Sequence, residues 1–201
     1  MKGAVFLDRD GTVSEEVGYV NHIDRFKVYP WTADAIRKLN DAGTPVFLVT
    51  NQSGVARGYF PEDLVKEVHR RLNEALAPSG AFLNGTYYCP HHPEGRKAAY
   101  RMFCDCRKPA PGMLLRASRD HGIDLTRSYM IGDRYLDLET GFRVGARGVL
   151  VLSGYGKGEY EYLRDQWPRP PDHVARNLAD AVDYVLPSLS AEQAPVGSQL
   201  S

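Results

Sequence analysis

Phe6-Leu7-Asp8-Arg9-Asp10-Gly11-Thr12 decides how the rest of this 201-residue chain is read. The apolar run Ala4-Val5-Phe6-Leu7 predicts a short buried strand, and Gly11 lets the chain turn sharply after it. Asp8 and Asp10 are separated by one residue, so both leave the same strand end together. Two carboxylates this close repel, and burying one unpaired is costly, so the pair calls for a cation. Mg²⁺ suits, because it accepts one or two carboxylates together with water and a substrate phosphate. A carboxylate beside such an ion can attack phosphorus and form an aspartyl-phosphate. The simpler explanation is a loop in which Asp and Gly make a turn. The remainder of the chain argues against it.

A second apolar run, Pro45-Val46-Phe47-Leu48-Val49, ends in Thr50-Asn51-Gln52-Ser53-Gly54. Hydroxyls and backbone N–H groups at a strand end suit the equatorial oxygens of a phosphoryl group. Arg107-Lys108-Pro109 precedes a helix-like segment and supplies positive charge, and Tyr129-Met130-Ile131-Gly132-Asp133 is a third strand ending in a carboxylate. Asp137 follows four residues later. Each has a bland explanation: Thr50 capping a turn, Lys108 a solvated charge, Asp133 a helix N-cap. Their order persuades, since strand ends of an α/β sheet converge on one crevice.

Helices are predicted over residues 32–42, from Pro61 to about residue 76 on the stripe Leu64, Val68, Leu72 and Leu76, over 111–121 and over 136–144. Strands are predicted at 86–88 and 148–152. Alternating strands and helices specify an α/β fold with a doubly wound parallel sheet. Beyond Ser153, Gly154, Gly156 and Gly158 predict a loosened chain, and Trp167-Pro168-Arg169-Pro170-Pro171 a rigid loop. A last short strand at 173–176 and a helix over 178–186, capped by Asn177 and stopped by Pro187, complete a domain spanning residues 1–187. Residues 188–201 are expected to be a disordered tail. The intervals from Asp10 to Thr50 and from Thr50 to Lys108 are too short for a separate cap domain, so an open site is expected.

These motifs resemble the haloacid dehalogenase superfamily of Asp-x-Asp-Gly-Thr phosphohydrolases, which implies its Rossmann-like core. The resemblance implies that Asp8 is the nucleophile and Asp10 the general acid/base. It implies that Thr50 and Lys108 stabilise the phosphoryl group. Asp133 would complete a Mg²⁺ site with Asp8 and the Asp10 backbone carbonyl, with Asp137 behind it.

Twenty-five acidic and 25 basic residues cancel, so no overall field favours nucleic acid or an anionic membrane. No apolar run approaches the ~20 residues that span a bilayer, and Met1-Lys2 runs straight into the first strand, so no signal peptide is expected. A cytoplasmic monomer is the expectation. All three cysteines fall within residues 89–106. With His91 they form two pairs, Cys89-x-His91 and Cys104-x-Cys106, the donor set of a closed tetrahedral Zn²⁺ site that would staple the loop between them. The bland alternative is three reduced thiols beside an incidental histidine. His92 is the rival ligand, but the matched spacing favours His91.

Gly18-Tyr19-Val20, Thr50 to Gly58, Tyr87 to Pro93 and Cys104 to Pro109 narrow the substrate. They resemble the phosphatase family acting at C7 of D-glycero-D-manno-heptose 1,7-bisphosphate, which supplies heptose for lipopolysaccharide or surface glycans. That resemblance runs from about Ala4 to Leu152 and implies a small sugar bisphosphate as partner. Glu16, Gly18 and Tyr19 would contact the sugar, Asn51 and Ser53 would line the site, and Arg107 and Arg134 are the candidates for the second phosphate. Lysine is common in that family where this chain has Arg134. Histidinol-phosphatases are the nearest alternative. A nucleic-acid 3′-phosphatase would need a basic track, which is missing, and a non-catalytic zinc module would not need the complete set of catalytic motifs.

Overall fold

The computed structural model describes residues 1–191. Six strands, β1 (Val5–Leu7), β2 (Val46–Asn51), β3 (Gly85–Cys89), β4 (Tyr129–Gly132), β5 (Arg147–Val151) and β6 (His173–Ala175), form one sheet in the order β3-β2-β1-β4-β5-β6. Every pairing is parallel. The helices are α1 (Thr32–Asp41), α2 (Gly54–Arg57), α3 (Glu62–Leu76), α4 (Gly112–His121), α5 (Tyr135–Phe142), α6 (Gly156–Leu163) and α7 (Leu178–Ala191). The chain winds outward from β1 through β2 to β3, then returns to the other side of β1 and winds out again. The reversal lies between β1 and β4, where an open α/β sheet leaves a crevice beyond its strand ends.

The central strands are apolar without alternation because both faces of the sheet are covered. Val5, Leu7, Leu48 and Ile131 pack with Ile36 and Leu39 of α1, Leu72 of α3 and Val182 and Val185 of α7. Ala4, Phe6, Phe47 and Met130 face the other way, against Met113, Leu114 and Ala117 of α4. Phe6 stacks on Phe47 with ring centroids 5.4 Å apart. Each such side chain contributes roughly 1.5–3 kcal/mol by leaving water. No separate cap interrupts this core: α1 alone lies between Asp10 and β2, apart from a short 3-10 turn at Ile23–Arg25. No helix among the described residues is long and apolar enough to cross a membrane.

Four expectations are corrected. The stretch after Ser153 is not loose, since Gly156 opens α6. A Cβ at Gly156 would lie 1.8 Å from the Val151 carbonyl oxygen, so glycine there permits close approach of the helix to β5. Gly154 takes the left-handed φ of +56° that turns the chain into it. Pro187 does not end α7, which continues to Ala191. Pro187 is exposed, so the carbonyl it frees can be hydrated, while Val185 and Leu189 on either side are buried in the core. Residues 188–191 are therefore helical, and the rest of the expected tail, 192–201, lies outside the described residues. The stripe on α3 also differs: Val65, Val68, His69, Leu72 and Leu76 are buried, whereas Leu64 is half-buried. The short helix α2 had no counterpart in the sequence pattern.

Candidate active site

Leu7 pairs with Leu48 and with Ile131. Asp8 therefore lies one residue, and Thr50 and Asp133 two residues, beyond a common register line. Lys108 reaches the same point from the loop before α4. Its Nζ contacts Asp8 Oδ1 at 2.7 Å and Asp137 Oδ1 at 2.6 Å, and donates to the Val49 carbonyl at 3.0 Å. Asn51 fixes the lysine backbone from both sides: its Oδ1 accepts the Lys108 N–H at 3.0 Å, and its Nδ2 donates to the Lys108 carbonyl at 3.2 Å. Burial alone would lower Lys108, but Asp137 and Asp8 outweigh it and hold the ammonium above its ordinary range.

Asp8, Asp133 and Asp137 bring carboxylate oxygens within 4.8 Å of one another, all buried. Burial, then Asp137 and Asp8, push Asp133 up to about 9. Burial also raises Asp8, to about 6, against the pull of Lys108. Asp133 Oδ2 accepts the Tyr155 N–H at 2.8 Å, while its Oδ1 is buried without a partner. Gly11 and Gly154 close over this carboxylate: a Cβ on either would come within 2.0 and 2.2 Å of Asp133 Oδ2. Surplus buried carboxylates with an orphaned oxygen fit a hard divalent cation.

Asp10 is anchored by residues that the sequence motifs did not single out. Arg9, 1% exposed, donates through Nε to Asp10 Oδ1 at 2.9 Å and through Nη2 to Oδ2 at 2.7 Å. Gln52 Nε2 donates to Asp10 Oδ2 and to the Thr50 hydroxyl, both at 3.0 Å. The only sequence signal for either was its place inside a quoted motif.

These side chains open onto a cavity of about 240 Å³. Asp8, Asp10, Thr50, Lys108 and Asp133 line it, as do all the expected substrate contacts: Glu16, Gly18, Tyr19, Asn51, Ser53, Arg107 and Arg134. Tyr155 and Leu136 line it too and had not been expected. Burial first, then Asp10 and Asp8, raise Glu16 to about 7 against the opposing Gly18 N–H bond. Tyr19 meets Tyr59 edge-on at 4.8 Å. Arg107 Nη1 donates to the His91 carbonyl at 3.4 Å.

Cys89, His91, Cys104 and Cys106 converge beside the cavity, with Sγ–Sγ distances of 3.5 Å (Cys89–Cys104) and 3.3 Å (Cys104–Cys106). His91 Nδ1 lies 3.4 Å from Cys106 Sγ and 3.7 Å from Cys89 Sγ. A tetrahedron with zinc–ligand bonds of about 2.0–2.3 Å has edges of about 3.3–3.8 Å, so the four atoms fit Zn²⁺. His92 turns away, its Nε2 lying 2.9 Å from Arg57 Nη2.

A profile of HAD-hydrolase-like proteins matches residues 105–181. The D-glycero-D-manno-heptose-1,7-bisphosphate 7-phosphatase of Thermosynechococcus vestitus is 42% identical over 195 residues, covering 93% of this chain and 97% of that protein. The D-glycero-beta-D-manno-heptose-1,7-bisphosphate 7-phosphatase of Pasteurella multocida is 48% identical over 181 residues, 90% of this chain and 95% of that one. A crystal structure of D,D-heptose 1,7-bisphosphate phosphatase from B. bronchiseptica, complexed with magnesium and phosphate, matches with a TM-score of 0.80 at 32% identity. It covers 93% of this chain and 99% of that one.

Proposed function

The chain belongs to the D-glycero-D-manno-heptose-1,7-bisphosphate 7-phosphatase family of HAD-like hydrolases, and we propose that it hydrolyses the C7 phosphate of that sugar bisphosphate through an aspartyl-phosphate on Asp8. The observation that carries the reading is one cavity lined by Asp8 and Lys108 and also by Arg107 and Arg134. A reacting phosphate at the first pair leaves the two arginines for a second anion, which a planar guanidinium suits.

Lys108 occupies Asp8 Oδ1, which leaves Oδ2 as the attacking atom. As the phosphorus–oxygen bond to the sugar breaks, Asp10 gives its proton to the departing alkoxide. Asp10 then takes a proton from the water that hydrolyses the aspartyl-phosphate, returning phosphate and free Asp8. One carboxyl thus serves as acid and then as base. Lys108 and the Thr50 hydroxyl stabilise the charge spread over the equatorial oxygens, and Asp137 keeps the ammonium in place. Asp8, Asp133 and the Asp10 backbone carbonyl would hold Mg²⁺, which supplies further charge stabilisation when bound. Zn²⁺ on Cys89, His91, Cys104 and Cys106 would have no open position for chemistry, and its contribution is to order the loop that carries Arg107. A cytoplasmic monomer acting on a soluble sugar phosphate is the setting we propose.

Two measurements test this. Asp8→Asn should lower kcat by several orders of magnitude, since phosphate monoesters react extremely slowly without catalysis. Near-normal turnover by that variant with excess Mg²⁺ would exclude the covalent route. In parallel assays, heptose 1,7-bisphosphate should give a higher kcat/KM than fructose 1,6-bisphosphate or histidinol phosphate. A preference for histidinol phosphate would overturn the substrate.

A further inference from the structure

Arg134, at the cavity rim, is held by a residue of another helix. Its Nε donates to Glu159 Oε1 at 2.8 Å, and Glu159 Oε2 accepts the Tyr135 N–H at 2.7 Å. One carboxylate of α6 therefore takes the inner edge of the guanidinium and also satisfies a free N–H at the start of α5. The guanidinium carbon lies 5.3 Å from the centroid of the Tyr155 ring. The Glu159 side chain is 13% exposed and that of Arg134 51%, so the anchor is the more enclosed member and the guanidinium the open one. Because Glu159 engages Nε, both Nη groups remain for an anion. Each of its own oxygens already has a donor, which limits its repulsion of an incoming phosphate. The anchor is itself fixed, because Gly156 brings the first turn of α6 against the Val151 carbonyl.

An arginine without such a hold would sample many rotamers and lose that freedom on closing over an anion. We propose that Glu159 is a positioning residue that presents the Nη fork of Arg134 to the second phosphate and thereby strengthens the preference for a bisphosphate. The inference rests on the reading of Arg134 given under Proposed function. It assigns a specificity role to α6, an element outside the catalytic motifs.

The experiment compares D-glycero-D-manno-heptose 1,7-bisphosphate with the 7-phosphate of the same sugar, for Glu159→Ala, Glu159→Gln, Arg134→Ala and the Arg134→Ala/Glu159→Ala double variant. Ordering one long side chain corresponds to roughly three- to tenfold in binding. Glu159→Ala should lose about that factor in kcat/KM on the bisphosphate, chiefly through KM, and clearly less on the monophosphate. Glu159→Gln, which keeps an acceptor, should recover part of the loss. The double variant should be no worse than Arg134→Ala, because the two residues act as one unit. Exposed Glu161 on the same helix is the control, and Glu161→Ala should match the parent protein. If Arg134→Ala discriminates between the substrates but Glu159→Ala does not, or if their losses simply add, Glu159 has no positioning role while the subsite stands. If Arg134→Ala affects both substrates equally, the subsite reading itself falls. Equal losses on both substrates from Glu159→Ala, with a lowered Tm, would reduce Glu159 to a link between α5 and α6. Should Glu159→Ala fail to fold, Glu159→Gln carries the same comparison, with a smaller discriminating loss expected and none overturning the proposal.

Discussion

His69 and Asp133 are both buried with an unpartnered atom, and they meet that cost in opposite ways. Asp133 sits among other carboxylates, and a cation can compensate its charge. His69 has no anion of its own: burial, then the charge of Arg9, push it down to about 3, so it stays neutral against the Tyr88 ring. Asp10, the one nearby group that opposes this shift, is already taken by Arg9. In the unfolded chain His69 takes up a proton near pH 6.5. Below that pH the unfolded state binds a proton that the folded state refuses, so stability falls as pH drops from about 6.5 towards 3, by up to about 1.4 kcal/mol per pH unit. His69→Phe removes the titration while keeping a ring beside Tyr88. Calorimetry at pH 7 and pH 5 should show a smaller drop in Tm for this variant than for the parent. Equal drops would mean that His69 is not the group responsible.

Among the elements, the cysteine loop cannot order itself from its own sequence, because residues 92–103 contain Pro93 and Gly95 and form no regular structure beyond a 3-10 turn at Ala98–Tyr100. Metal binding in small zinc peptides contributes on the order of 10 kcal/mol to folding. Cys104→Ser should therefore abolish stoichiometric zinc in metal analysis and lower kcat/KM, because Arg107 and Lys108 follow Cys106 directly. Full activity in a zinc-free Cys104→Ser protein would show that zinc does not order the segment carrying Arg107 and Lys108. Helix α7 offers the converse case, since Pro187 sits in its interior and core burial of Leu189 carries the helix past it. Pro187→Ala restores a hydrogen bond near the helix end, where the benefit should be about 1 kcal/mol, less than the full cost of an interior proline. For a domain of this size that corresponds to a rise in Tm of roughly 2–4 °C. A lower Tm would show that the proline fits its site better than the free helix rule implies.

For the molecule as a whole, the carboxylate cluster makes stability depend on the cation. Of the clustered Asp8, Asp133 and Asp137, Lys108 pairs with Asp8 and Asp137 and not with Asp133, so the metal-free fold carries their mutual repulsion. A ligand at about 100 times its Kd stabilises by roughly 2.7 kcal/mol, which for this length is about 5–10 °C in Tm. Dialysed protein should gain that increment when Mg²⁺ is added, and Asp133→Asn should lose most of it. An unchanged Tm at saturating Mg²⁺ would be incompatible with the proposed site.

Local order determined much of this protein. Apolar runs ending in Asp8, Thr50 and Asp133 specify strands whose ends carry polar groups, and the spacing of Cys89, His91, Cys104 and Cys106 specifies a four-donor cluster. Such patterns are legible because backbone period and ligand spacing are short-range properties. The tertiary structure decided what depends on partners distant in the chain. Gly154, Gly156 and Gly158 read as a loose stretch because their composition does not reveal that Val151 and Asp133 crowd against two of them. Pro187 read as a stop because the burial of Leu189 is set by packing in the core. Gln52 lay inside a motif, yet its hold on Asp10 exists only once β1 and β2 are paired, whereas Arg9 adjoins Asp10 in the chain and only its burial depends on the fold. Glu159 had no signal at all: its meaning arises from the approach of α6 to the start of α5, a contact across 25 residues that only the folded sheet creates.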